Sequence, residues 1–220
     1  MAVDVDLVAP THLFTDMPRE LLQPVADASH EEHLRRGDVL FNESDEAHAL
    51  FIVVTGRVAI ANRSFDGRES VVALMEPGDL FGEMPLFDGQ GRSALGKALE
   101  PSTVILVPYE PVNAIYSERP DLLWGVVKLL TTRLRTMDVA LADSMFLDVT
   151  GRTAKRLLDM AGENEVFVLP VTQEELAGMI GASRERVNKS IAQFIKLGWM
   201  EVVGDGYRVL NREQMEIRSR

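Results

Sequence analysis

The 220-residue chain contains no cysteine. A disulfide scaffold, a Cys-ligated zinc site, an iron–sulfur cluster and a thiol nucleophile are therefore all excluded. It also lacks any apolar run near the ~18–20 residues of a membrane span, and residues 1–12 carry Asp4 and Asp6 in place of a basic start followed by an apolar stretch. A cytoplasmic protein with no membrane association is expected. Histidine is scarce: His12, His30, His33 and His48 all precede the main strand series. His30-Glu31-Glu32-His33 offers two imidazoles with no clustered third ligand, so no metal site is expected. No Walker A loop, Ser-His-Asp context or paired-carboxylate signature occurs, which argues against an enzyme.

What the chain does have is a composition of 46% hydrophobic and 26% charged residues, enough for one large core or two modest ones. Its net charge of −11 would by itself disfavour a nucleic-acid partner, but the charge is unevenly spread. From Thr150 onward there are 11 basic and 10 acidic residues, which leaves 12 basic and 24 acidic residues in 1–149. Arg184, Arg186, Lys189 and Lys196 face a single Glu185 between Ser183 and Leu197. Taken alone, such a run is more often a solvated helix face.

Periodicity divides the chain into three textures. Residues 17–29 have helical spacing around Leu21, Leu22 and Val25, limited by Pro24. From His33 to Val107, short β-type runs (Val39–Phe41, Leu50–Val54, Val58–Ile60, Val71–Leu74) alternate with Gly37-Asp38, Thr55-Gly56, Asp66-Gly67 and Pro77-Gly78-Asp79, the pattern of a sandwich or jelly-roll-like barrel. After Pro108 a short helix over Glu110–Glu118 precedes a long one that Pro120 can start. On the long one, Leu123, Val127, Leu130, Leu134, Met137 and Leu141 alternate by three and four, a coiled-coil seam about 27 Å long. The stripe either packs on its own β domain or, as the simpler cover for that length, pairs with a second copy as a homodimer.

Near Phe146-Leu147 this helix should stop, because Asp148 is a good N-cap for a new one, and Asp148 is a candidate hinge. Val166–Val171 reads as a short strand. Thr172-Gln173-Glu174-Glu175 has capping-box spacing, Gly181-Ala182 breaks the helix it opens, and Ser183 caps a basic helix with Val187, Ile191, Phe194 and Ile195 on its apolar face. Trp199–Val203 and Tyr207–Leu210 flank a Gly-containing turn, a hairpin suited to be a wing. Helix, tight turn, capped basic helix and wing together make a winged helix-turn-helix for double-stranded DNA. In that geometry Arg184, Glu185 and Lys189 point at base edges, whereas Thr172, Gln173, Ser183 and Arg186 are placed for phosphates.

A second cluster lies in FGEMPLFDGQGRSA, residues 81–94, read as a loop. Glycines admit a ligand close to the backbone, Arg92 is a planar cation and Ser93 adds a hydroxyl, a set suited to phosphate. Glu83 can bond a sugar hydroxyl or orient Arg92. Such a loop is also commonly just a turn.

These three strings, FGEMPLFDGQGRSA, FLDVTGR and TQEELAGMIGASRERVNK, in this order and over nearly the whole chain, resemble the cyclic AMP receptor protein superfamily (CRP/FNR). The resemblance implies an α+β architecture in three parts. A double-stranded β-helix (jelly-roll-like) domain would occupy residues 1–119, a coiled-coil dimerisation helix 120–147 and a winged helix-turn-helix 148–220. It implies a transcription regulator whose effector is a cyclic nucleotide, with no tightly bound cofactor and with RNA polymerase as a further partner. Gly82 and Glu83 would hold the ribose 2′-hydroxyl and Arg92 and Ser93 the cyclic phosphate, with Met84 in the same set. Asp148 would cap the hinge, and Arg184, Glu185 and Lys189 would read bases, although Lys189 departs from the arginine of the best-known member. Where cyclic-AMP-binding members set hydroxyl or amide groups against adenine, this chain has Met137 and Asp138. Met137 belongs to the seam; a carboxylate at 138 suits the paired donors of guanine better than adenine. Cyclic GMP therefore rivals cyclic AMP. Two other readings stay open: a member that binds DNA without ligand or senses another effector, and a nucleotide-sensing regulatory subunit that binds protein.

Overall fold

The computed structural model describes residues 3–63, 65 and 69–220; the expected Asp66-Gly67 turn lies outside them. The chain divides into two compact units, Met1–Leu134 and Arg135–Arg220.

In the first unit, α1 (Val5–Val8) and α2 (Arg19–Ala28) precede eight strands: β1 (His30–Leu34), β2 (Val39–Phe41), β3 (Ala49–Thr55), β4 (Val58–Arg63), β5 (Glu69–Met75), β6 (Leu80–Phe81), β7 (Leu95–Ala98) and β8 (Ser102–Pro108). A short helix, α3 (Met84–Asp88), interrupts the strand series, and α4 (Tyr109–Glu118) closes it. The strands form two antiparallel four-stranded sheets, ordered β1-β8-β3-β6 and β2-β7-β4-β5. The non-sequential order is that of a roll in which the chain alternates between sheets. β3 is central and buried over Ala49–Val53, which is why its sequence is a continuous β-branched and aromatic run and not an alternating one. Phe41, Phe51 and Phe81 stack between the sheets with centroids 5.4–6.2 Å apart, and Leu22, Val25, Phe14 and Val112 seal the other side of the first sheet.

One expectation changes here, and one strand was not anticipated. Residues 84–88, read as loop, are helical because Pro85 suits a first helical turn and Gly89 ends it in the left-handed conformation. The edge strand β1 holds His30-Glu31-Glu32-His33; its four exposed charged and polar side chains hide a strand from hydrophobic periodicity while protecting a sheet edge.

After a 3₁₀ turn at Pro120–Leu122, α5 runs from Leu123 to Phe146. Val126 and Leu129 are buried against the first unit's core. The second unit continues with α6 (Val149–Ala161), β9 (Val166–Phe167), α7 (Gln173–Ile180), α8 (Arg184–Lys196), β10 (Met200–Val203), β11 (Gly206–Val209) and α9 (Arg212–Arg218). β9 is shorter than the expected Val166–Val171 strand, since Pro170 has no N–H for a ladder. It pairs with β11, making the wing a three-stranded sheet ordered β10-β11-β9. The expected caps are present: Asp148 accepts from the Gly151 N–H at 2.8 Å, Thr172 and Glu175 form a reciprocal capping box, and Ser183 caps α8.

Candidate functional site

β6 pairs with β3 through Phe51 and Phe81, and the chain then turns at Gly82, whose φ of +76° is the left-handed region that glycine alone enters freely. A Cβ here would lie 2.6 Å from Arg92 Nη1. The turn sends Glu83 into the core, where it is 0% exposed. Arg133 of α5 ion-pairs with Glu83 Oε1 and donates to the Leu80 carbonyl at 2.8 Å. Burial pushes the Glu83 carboxyl above the usual carboxylate range, against the downward pull of Arg133.

Arg92 reaches the same turn from the segment before β7. Its Nη1 donates to the Gly82 carbonyl at 2.8 Å and to the Tyr109 hydroxyl at 3.2 Å, its Nη2 donates to the Ala49 carbonyl at 2.7 Å, and its guanidinium lies over the faces of Phe41 and Phe51. Glu83 therefore does not orient Arg92 by direct bonding. Two carbonyls, a phenol and two aromatic faces do so, and the carboxylate is paired with Arg133.

At this turn two buried polar atoms remain without a partner among the described residues, Glu83 Oε2 and Arg92 Nε. Orphaned buried groups are costly, and these are an acceptor and a cationic donor on either side of one glycine turn. A ligand that brings a hydroxyl donor and an anionic oxygen satisfies both, and a sugar phosphate carries that pair. Ser93 and Met84 are exposed beside them, with the Ser93 hydroxyl 3.6 Å from Met84 Sδ. The structure thus gathers Gly82, Glu83, Met84, Arg92 and Ser93. Asp138 is exposed on the part of α5 that belongs to the second unit.

Arg133 and Tyr109 escaped the sequence reading. Arg133 left a usable trace, because it continues the buried stripe Val126, Leu129, Arg133 at helical spacing, and a charge on an apolar stripe calls for a buried partner. Tyr109 left none, since the tyrosine at the start of α4 reads as core.

In the second unit, Gly181 (φ +68°) makes the tight turn between α7 and α8. Val187, Ile191 and Phe194 bury one face of α8, and Phe194 stacks on Trp199 at the foot of the wing. Arg184, Glu185, Arg186 and Lys189 are exposed, as are the cap residues Thr172 and Ser183, and Gln173 is half-buried. The seam residues Leu123, Val127, Leu130, Leu134, Met137 and Leu141 are between 39% and 68% exposed, a large apolar stripe with no cover in the single chain.

Residues 31–119 match the family model described as the cyclic nucleotide-binding domain, and residues 151–217 match the Crp-like helix-turn-helix domain. The chain is 35% identical over 192 residues to the CRP-like cAMP-activated global transcriptional regulator of Mycobacterium tuberculosis, covering 84% of this chain and 86% of that protein. It is 28% identical over 208 residues to the cAMP-activated global transcriptional regulator Vfr of Pseudomonas aeruginosa, covering 90% and 96%. Among solved structures, that of FixK2 from Bradyrhizobium japonicum aligns with a TM-score of 0.78 at 21% identity, over 87% of this chain and 98% of the other, a likeness of fold.

Proposed function

Because the chain belongs to the CRP/FNR family of transcription regulators, we propose that it is a homodimeric regulator switched by a cyclic nucleotide. The observation that carries this reading is the unpartnered pair at the Gly82 turn, Glu83 Oε2 and Arg92 Nε. Glu83 takes the ribose 2′-hydroxyl, and Arg92, with Ser93, takes the cyclic phosphate. Asp138 selects the base, which favours the paired donors of guanine and makes cyclic GMP a rival to the cyclic AMP named for the relatives.

The exposed seam of α5 supports dimerisation through residues 120–147, with a β-roll domain in 1–119 and the DNA-binding domain in 148–220. Asp148 lies at the hinge between the last two. Arg184, Glu185 and Lys189 read base edges, and Thr172, Gln173, Ser183 and Arg186 hold phosphates, on a two-fold symmetric site whose halves are about 34 Å apart, one turn of DNA. Nucleotide shifts the population toward the DNA-competent form by binding it more tightly. RNA polymerase is the expected partner once the protein is on DNA, and the cytoplasm the expected location.

The test is a calorimetric titration of the wild type, Arg92→Ala and Asp138→Ala with cyclic AMP and cyclic GMP. The wild type should bind at least one, Arg92→Ala should weaken it at least tenfold, and Asp138→Ala should change the ratio of the two affinities. A wild type that binds neither nucleotide overturns the effector assignment. The second reading, DNA binding without ligand, is favoured by the three protein acceptors that already hold Arg92 in place; full-affinity operator binding by the ligand-free protein would establish it.

A further inference from the structure

Tyr109 is 8% exposed, sits at the first position of α4 and is assigned no contact with the nucleotide in the recognition just described. Its hydroxyl nevertheless donates to the Gly82 carbonyl and accepts from Arg92 Nη1, closing a three-membered ring of hydrogen bonds in which the same carbonyl also takes Nη1. We propose that Tyr109 is the positioning residue for phosphate recognition, holding the Arg92 guanidinium so that its Nε–H is left open to an anionic oxygen. The proposal rests on reading the Gly82–Ser93 segment as the cyclic nucleotide site.

The donor count supports it. A guanidinium has five N–H groups in a fixed plane. Gly82 and Tyr109 both accept from Nη1 and Ala49 accepts from Nη2. The Nε–H and a second Nη2–H remain among the described residues, which is the number needed to hold two oxygens of one phosphate. Phe41 and Phe51 fix the plane from the ring faces, with the guanidinium carbon 4.3 and 5.3 Å from their centroids, but a flat contact leaves the guanidinium free to turn within that plane. Tyr109 joins the Gly82 and Ala49 carbonyls in supplying what the aromatic faces cannot, contacts at the plane's edge that fix the in-plane angle. The hydroxyl is itself anchored, because its ring is buried and the Tyr109 backbone N–H donates to the His48 carbonyl at 2.9 Å.

Tyr109→Phe removes this oxygen alone. The ring and its packing remain and the Gly82 carbonyl keeps its bond from Arg92, so the full-length variant should fold, which its melting curve checks. Titration of wild type and variant with cyclic AMP and cyclic GMP should show a Kd about fivefold to tenfold weaker in the variant for whichever nucleotide the wild type binds. Two phosphorothioate diastereomers of that nucleotide, each with sulfur in place of one exocyclic oxygen, then report the direction of the grip. The wild type should distinguish them, and the ratio of their Kd values should shrink toward one in Tyr109→Phe. A variant within twofold of a binding wild type overturns the positioning role and leaves the site assignment standing. A weaker Kd with an unchanged diastereomer ratio also overturns it, as the mark of a merely structural tyrosine. A wild type that binds neither nucleotide overturns the site assignment and the role of Tyr109 with it.

Discussion

Glu83 is a buried carboxyl whose ion pair among the described residues is with a one-third-exposed arginine (33%), and that imbalance sets its response to pH. Burial raises its folded-state pKa above the ordinary 4.5, so the folded chain holds this proton more tightly than the unfolded chain. Its contribution to stability is therefore fully present below pH 4.5 and is lost as pH rises through the raised native value. We expect Glu83→Gln to remove this decline, so that the melting temperature of the variant falls less than that of the wild type as pH is raised above 4.5; parallel profiles for the two would refute it. Part of this site was legible in the sequence. Gly82, Glu83, Arg92 and Ser93 could be grouped because they lie within one short segment of the right chemistry. Arg133 and Tyr109 could not, because their partnership with the turn is made by chain folding across 50 and 27 residues, and a single sequence, even where the stripe asks for a partner to Arg133, does not say which residue that partner is. Even within the segment, of the two roles open to Glu83, bonding a sugar hydroxyl or orienting Arg92, the second is not made by direct contact, because the left-handed turn at Gly82 sends the carboxylate to Arg133 of α5.

At the level of elements, caps and turns were the most readable features, since each is a local contract between a few neighbouring residues. Asp148, Thr172 with Glu175, Gly181 and Ser183 all stand where residue type placed them. Strands with uniform apolar runs were equally plain, but β1, β6 and α9 were not, being respectively polar, only two residues long and short with no strong stripe. Asp148 does more than cap. Besides the Gly151 N–H, its carboxylate accepts from Arg218 of α9 at 2.6 Å, and these contacts hold its pKa below the ordinary 3.8. The stability it supplies is present above that value and is lost as pH falls through the native one. Asp148→Ala should cost about 1–2 kcal/mol in chemical denaturation, and Arg218→Ala should cost less, as the backbone cap survives it. A larger loss in Arg218→Ala would mean that α9, and not the cap, is the principal support of the start of α6.

The whole molecule is marked by two features that local reasoning could only combine: an apolar stripe with no cover along α5, and a positive helix on a negative protein. Leu134→Glu places a charge on that stripe at a residue 59% exposed in the single chain, so it should leave the melting temperature of each protomer's core nearly unchanged while sedimentation shows a monomer. Operator binding should then weaken by at least a hundredfold, because one recognition helix must do the work of two. A Leu134→Glu protein that stays dimeric would place the interface elsewhere. The contact between Asp148 and Arg218 also has a consequence in time. It joins residues 70 apart in the chain, so during synthesis α6 can form early, but its first turn stays incompletely fastened until residues 212–218 have left the ribosome and folded back. The proposed hinge at Asp148 is thus finished only after α7 and α8, and a nascent chain can own its proposed recognition surface before it owns the joint proposed to govern it.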